Sequence, residues 1–354
     1  MTPPKIGRRT PRSHPCYGEP STRIPEGRPS NFHSKRDTTS IDDKRESFTP
    51  VLWTETPGDQ RIEQVWFAGA HSNVGGGYPK QGMSLVAFDW MLYHAMNAQL
   101  RVQDQLRVQD LDRSLYLGHA SVDDKLYDPR AGAGVFYRWK PREISALCSA
   151  NGVKPKVHMS VLERIAHATE DYAPGNVPFN ATVVFTPTGE PSADATAGAR
   201  AAAVQRVLAE GSTSGPDLIE RVRPQIRLGH LAYWTFMGAW AVLLVGAIGV
   251  TAKAPTNPVA VGKAAVTVVT NVVNLDLGAL LTTLSVLLTS PWRITLEGAL
   301  GGFLAAWYLS HKADGDMSEV FSTFWHQRQA DLRRALKQAR AEAQRRLMDT
   351  GSGR

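Results

Sequence analysis

The chain has 354 residues, enough for about two domains, or one domain with additions. Forty basic against thirty-three acidic residues leave a formal charge of +7, and 42% of residues are apolar, enough for a packed core. Two cysteines, Cys16 and Cys148, are too few for a disulfide framework and form no metal cluster. Collagen, a coiled-coil rod, a small secreted knot and a wholly disordered chain are excluded.

Residues 1–39 read as a disordered leader, with Pro3, Pro4, Pro11, Pro15, Pro20, Pro25 and Pro29 interleaved with arginines and almost nothing to bury. No apolar run follows the early charges, so it is not a secretory signal. Order is expected from Ser40, with a helical turn between Ile41 and Phe48. Gln64 to Ala70 is a short apolar run of strand formers, fit for a buried strand. It ends in a loop from His71 to Pro79 whose three glycines permit tight, φ-positive backbone. Helical spacing then runs from Ser84, a plausible N-cap, to Leu100. Strand, Gly-rich turn and helix are α/β grammar.

Leu100 to Asp104 is repeated as Leu106 to Asp110, a small local duplication in a surface helix. Short apolar stretches alternate with turns up to Pro178, with one amphipathic segment from Ser160 to Ala168. Between Gly189 and Gly215 the composition shifts to Ala, Ser, Thr and Gly, as a linker would.

Leu231 to Ala252 carries no charge, and about twenty such residues span a hydrocarbon core of roughly 30 Å. The return is less tidy. Leu277 to Trp292 contains Pro291, Gly298 to Ser310 is short, and Arg293 and Glu297 lie between them. Either Trp292 to Ser310 crosses with its charges near one interface, or a broken element dips in and returns. Arg221, Arg223 and Arg227 precede the first span, and Lys312 with a series of arginines follows the second. Positive residues stay cytoplasmic, which gives an even number of crossings and predicts a hairpin with both ends inside. Asp316 to Leu347 is then a helical tail with Val320, Phe321, Phe324 and Trp325 near its membrane end. It reads either as a polybasic helix touching anionic phospholipid head groups or as an ordinary solvated helix. Nucleic acid is not an expected partner, because the basic residues adjoin a span and lack interleaved aromatics.

His71 is the one residue that position singles out for chemistry. It directly follows a predicted buried strand, and an imidazole with an ordinary pKa near 6.5 can take a proton from a hydroxyl and return it to a leaving group. The bland alternative is a histidine packed at a strand end. Gly75 to Gly77 matches neither dinucleotide nor P-loop spacing.

Gln64-Val-Trp-Phe-Ala-Gly-Ala-His-Ser-Asn-Val-Gly-Gly-Gly-Tyr-Pro79 resembles the signature of the Tle-type phospholipase effectors of type VI secretion, an α/β-hydrolase family. The similarity extends through Ser40 to Trp53, Ser84 to Leu92, His158 to Arg164 and Tyr172 to Pro174, and covers about residues 40–187. It implies a serine hydrolase acting on ester bonds, in some members on phospholipids, with His71 as general base. It implies no cofactor and no metal. Asn73 departs from the family, where Asp is usual.

A serine hydrolase of this fold needs a nucleophile on a G-x-S-x-G elbow. The nearest string, Gly211-Ser-Thr-Ser-Gly215, has Thr213 at the centre and lies after His71. Asp42 and Asp43 match a charged stretch of the family rather than its acid. Ser72 points away from its neighbour His71, and Cys148 has no group to lower its pKa.

The expected architecture is therefore α/β: a partial α/β-hydrolase-like domain followed by a membrane-spanning helical hairpin and a basic helix. Its divisions are a leader (1–39), the hydrolase-like part (40–187), a linker with a basic helix (188–228), the hairpin (229–311) and the tail (312–354). The functional expectation is the C-terminal portion of a lipid-ester hydrolase in a bacterial inner membrane, inactive alone. Its expected partners are the lipid bilayer and a type VI secretion component. The rival expectation is a non-catalytic, membrane-tethered adaptor.

Overall fold

In the computed structural model the described residues are 35–55, 61–98, 118–129, 140–214, 218–252, 257–289 and 293–351. Nearly all of the leader, and the repeated Leu-Arg-Val-Gln-Asp segment, lie outside them.

Four parallel strands form one sheet in the order β1-β2-β3-β4: β1 (Lys35–Ser40), β2 (Ile62–Phe67), β3 (Lys156–His158) and β4 (Thr182–Val184). The first strand lies almost wholly inside the segment read as leader, and it is already ordered five residues before the expected Ser40. Its sequence, Lys-Arg-Asp-Thr-Thr-Ser, lacks an apolar run because it lies at one end of the sheet and buries only Thr39 and Ser40. β2 is the expected buried strand. Val65 and Phe67 pack on one face with Val74, Ala87 and Trp90, while Trp66 and Ala68 enter the main core on the other. This is period-two alternation in a strand covered on both sides.

After β2 come two helices, α1 (His71–Gly75) and α2 (Gly82–Asn97). Helix α2 starts two residues earlier than expected. Gln81 occupies the N-cap, and the Ser84 hydroxyl donates back to the Gln81 carbonyl (2.9 Å). Further on, α3 (Ile144–Ala150) precedes β3, and α4 (Met159–His167) follows it. Helix α4 is the expected amphipathic segment, with Val161, Leu162, Ile165 and Ala166 buried and His167 exposed.

The expected linker is instead a 20-residue helix, α5 (Pro191–Glu210). Proline at the first turn and alanine throughout favour a helix. The Asp194 carboxylate accepts from the backbone of Thr188 (2.6 Å) and Gly189 (3.1 Å), and closes its start. Gln205 clamps the outer edge of β4, accepting from the Val183 N–H and donating to the Ala181 carbonyl, both at 2.7 Å.

The remaining helices are α6 (Leu218–Arg221), α7 (Arg223–Ala252), α8 (Pro258–Val273), α9 (Leu277–Thr289) and the 59-residue α10 (Arg293–Gly351). Only α7 is by itself long and apolar enough to cross a membrane among the described residues. A second span arises if α9 and α10, which meet at a bend of 108°, are counted together. The region between α7 and α10 holds two short apolar helices, and the bend between α9 and α10 matches the broken element that the sequence offered as one form of the return. α10 corrects the tail as well. Met317, Phe321, Phe324, Trp325 and Leu332 are buried in the α/β core. The Trp325 Nε1–H donates to the Pro174 carbonyl (2.7 Å), and a side chain at Gly175 would collide with the Phe321 ring.

Candidate active site

His71 sits at the carboxyl end of the parallel sheet, where open α/β folds place their ligands. It is the first residue of α1 rather than part of a loop, and the glycine-rich turn begins only at Gly76 (φ 87°) and Gly77 (φ 108°). Three residues, Ala68 to Ala70, bring the chain from β2 into α1, and Gly69 (φ 104°) is the pivot. A side chain there would collide with Asn73, and its dihedral lies in the region that favours glycine.

Two carboxylates from the end of β1 hold this pivot. The Asp42 carboxylate accepts from the Gly69 N–H (2.6 Å) and from the Tyr172 hydroxyl (2.7 Å). Burial pushes its carboxyl above the ordinary range even against these hydrogen bonds. The side chain of Asp43 is fully buried and binds Arg45 through two contacts of 2.9 and 2.7 Å, while its Oδ2 accepts the His71 backbone N–H (3.2 Å). Burial alone would raise that carboxyl too. The hydrogen bonds from Arg45 and His71 and the guanidinium charge outweigh it and hold the pKa below the ordinary range. Asp43 thus fixes the backbone of the histidine, and the contact it makes is with the amide and not with the ring.

The imidazole lies edge-on to Phe48, with ring centroids 5.7 Å apart, and Arg45 covers the Phe48 ring at 3.5 Å. Arg142 completes this wall from a distant part of the sequence. Its guanidinium is buried and donates to the Ser40 hydroxyl (2.6 Å), the Ser40 carbonyl and the Phe48 carbonyl (2.6 Å). Burial lowers its pKa, and its Nε lacks a hydrogen-bond partner among the described residues. His71, Phe48, Arg142, Val74 and the outer residues of β1 enclose a cavity of about 330 Å³. A larger cavity of about 450 Å³ lies on the other side of Asp42, against α10, and does not include His71.

Asn73 stands one helical step behind the histidine, 2% exposed. Its side-chain oxygen accepts the Ala70 N–H (3.2 Å), and its amide nitrogen donates to the Lys125 carbonyl (3.2 Å). The amide therefore serves both partners, where a carboxylate would face the Lys125 carbonyl with like charge. Cys148 is remote from this cavity and fully buried, with its thiol pushed up to about 11 by burial, so it is no substitute nucleophile. A second His–Ser pair exists at the start of α4. His158 Nδ1 lies 2.8 Å from the Ser160 hydroxyl and accepts the Ser160 N–H. The imidazole is stacked on Phe67 and driven down to about 3 by burial, so it is a neutral helix cap.

Position in the sequence pointed to His71 and to none of its supports. Asp43, Arg142 and Tyr172 converge on it from segments 28 to 101 residues away in sequence, and no local pattern announces that. Comparison with protein families matches residues 22–94 to the catalytic domain of Tle1-like phospholipase effectors of the type VI secretion system (T6SS), the family that the signature around His71 resembles. The matched stretch contains β1, β2, both aspartates, His71 and most of α2. Neither the curated proteins nor the solved structures contain a match.

Proposed function

We propose that this chain, with its Tle1-like segment at residues 22–94, is the membrane-anchored C-terminal portion of a (phospho)lipid-ester serine hydrolase, with His71 as general base. The observation that carries this reading is the position of His71. It lies at the carboxyl end of a parallel strand, opens on a 330 Å³ cavity, and has its amide fixed by a buried carboxylate inside the matched segment. A hydroxyl nucleophile entering that cavity would transfer its proton to the imidazole as it attacks the ester carbonyl. The imidazolium would then protonate the departing alcohol.

This reading calls for a G-x-S-x-G nucleophile elbow, which residues 1–354 do not contain. Both aspartates near His71 are committed to Arg45, Tyr172 and backbone amides, so neither is free to serve as its acid. Anchoring rests on the length and apolar character of α7 and on the bent pair that follows.

The experiment is co-expression of this chain with an N-terminal segment of a Tle-type hydrolase that bears the G-x-S-x-G elbow. Phospholipid hydrolysis is then measured in proteoliposomes. Each chain alone should be silent and the pair active, with loss of at least about a hundredfold in His71→Ala, the usual scale of a general base. Hydrolysis by the single chain that His71→Ala abolishes would refute the division of labour. Paired activity that His71→Ala leaves intact would remove the histidine from the mechanism and favour the adaptor reading.

A further inference from the structure

Helices α7 and α10 run antiparallel in a register that several contacts define. Gly302 faces Ala239, Gly246 faces Thr295, and the Phe303 ring lies 5.5 Å from both Phe236 and Trp240. Continuing this register by five residues places Tyr233 and Trp234 level with Trp307 and Tyr308. Trp234, Trp307 and Tyr308 are all about 60% exposed. Four aromatic residues at one height on two helices form the kind of belt that sits at a membrane–water boundary. Just outside it lie Arg221, Arg223, Arg227 and Lys312, and inside it are the exposed Leu244, Val245, Leu300 and Leu304. From Trp234 to Ala252 the first helix covers about 27 Å, close to the thickness of a hydrocarbon core.

At the other end Arg293 and Glu297 pair across one helical turn (2.6 Å), level with the last turns of α7. α9 departs from there at the 108° bend, closer to perpendicular than to antiparallel, with Leu287 against Gly246. Helices α8 and α9 rise about 24 and 20 Å and carry no aromatic residue that would mark a boundary such as the one on α7 and α10. Their junction is polar: Asn274, the φ-positive Leu275, and Asp276, which accepts the Ala279 N–H (3.0 Å). Lys263 is also exposed on α8.

We infer that α7 and α10 are the two crossing helices, bounded on the side of the α/β domain by the belt of Tyr233, Trp234, Trp307 and Tyr308. Helices α8 and α9 lie flat in the opposite leaflet's interface, apolar faces down and Lys263, Asn274 and Asp276 in the head groups. The occupant of the exposed apolar surface is the lipid bilayer. This arrangement rests on the anchoring part of the functional reading and adds to it which elements cross. Because α10 continues from the belt into the domain core at Phe321 and Trp325, the domain is held against the membrane by an unbroken helix rather than a tether.

The test is cysteine labelling of the full chain in sealed proteoliposomes, with a membrane-impermeant maleimide applied to one face at a time. The background is Cys16→Ser, and the buried Cys148 is retained. Glu319→Cys should label from one face, and Asn257→Cys and Asn274→Cys only from the other. Leu244→Cys and Leu300→Cys should stay protected until detergent is added. Asn274→Cys labelling from the Glu319 face would mean that α8 crosses, and protection from both faces would mean that the junction dips into the core. Either result overturns the flat arrangement and leaves anchoring intact. Ready labelling of Leu244→Cys and Leu300→Cys in the sealed proteoliposomes, before any detergent, would overturn anchoring itself. Asn257→Cys guards against a local fault at position 274, since both report the same leaflet.

Discussion

Trp325 distinguishes a helix that belongs to the domain from one that only trails behind it. Its side chain is 1% exposed, packs with Phe324, and donates its indole N–H to the Pro174 carbonyl. Trp325→Ala removes a large buried side chain and leaves a cavity, which costs about 3–5 kcal/mol. Small domains are stable by only about 5–15 kcal/mol, so this is about a fifth or more of the total. Trp325→Phe keeps most of the volume and strands the Pro174 carbonyl, at about 1–3 kcal/mol. Pulse proteolysis in urea, with the chain in nanodiscs, reads the domain's unfolding midpoint. With a urea dependence of about 2 kcal/mol per molar, Trp325→Ala should lower the midpoint by about 2 M and Trp325→Phe by about 1 M. A tail that lies on lipid gives a different result: little change in the midpoint and weaker partitioning into vesicles. That outcome would refute the placement of α10 in the core.

The same assay reads Tyr172→Phe, which deprives the buried Asp42 carboxylate of a 2.7 Å donor and should cost about 1–3 kcal/mol. Asn73→Asp, which restores the residue usual in the Tle-type family, should destabilise by a similar amount at neutral pH, because a buried carboxylate would oppose the Lys125 carbonyl. The two aspartates should respond to pH with opposite sign. Asp43 is held below the ordinary range, so the stabilisation lost in Asp43→Asn is present above the unfolded carboxylate pKa near about 3.9 and fades as pH falls through the folded value. Asp42 is raised, so its ionisation costs stability above the folded pKa, and acidification through that pKa should relieve the cost in the wild type but not in Asp42→Asn. Thermal melts from pH 3 to 7 check both. Cys148 should resist an iodoacetamide pulse in the native state and react after denaturation, as read by peptide mass mapping.

The parts of the fold legible in the sequence are those whose physics is local. β2 announces itself because a strand covered on both faces must be apolar throughout, and the turn at Gly76 and Gly77 because its positive φ values favour glycine. β1 was hidden because an end strand exposes one side and can be spelled Lys-Arg-Asp-Thr-Thr-Ser. α5 was hidden behind its composition. Alanine, serine and threonine read as linker, yet Ala201, Val204, Val207 and Leu208 recur at helical spacing and are buried. The sequence places Phe321, Phe324 and Trp325 near the membrane end of a tail helix because they follow an apolar span. What they contact is the loop around Pro174, 151 residues away from Trp325, and no window of sequence contains that pairing. At the site, the histidine was visible and its support was not, since Arg142 and Tyr172 act through contacts of long sequence separation.

The use of the two aspartates decides how the site is to be understood. A histidine base works best when a carboxylate orients its ring and stabilises the imidazolium. Asp43 is close enough to bind the His71 amide, yet its two oxygens already take Arg45 in a bidentate pair, and that pairing holds it ionised. Turning Asp43 toward the ring would give up hydrogen bonds from the Arg45 amide and guanidinium and from the His71 amide, four in all, to make one. Asp42 is bound to Gly69 and Tyr172, and burial pushes its carboxyl above the ordinary range. Both carboxylates are thus consumed in building the turn that presents the histidine. Under the proposed general-base role, an orienting acid would reach the imidazole from the open side of the 330 Å³ cavity lined by Asp37 to Ser40 of β1, where a nucleophile would also enter. One incoming element can satisfy both requirements.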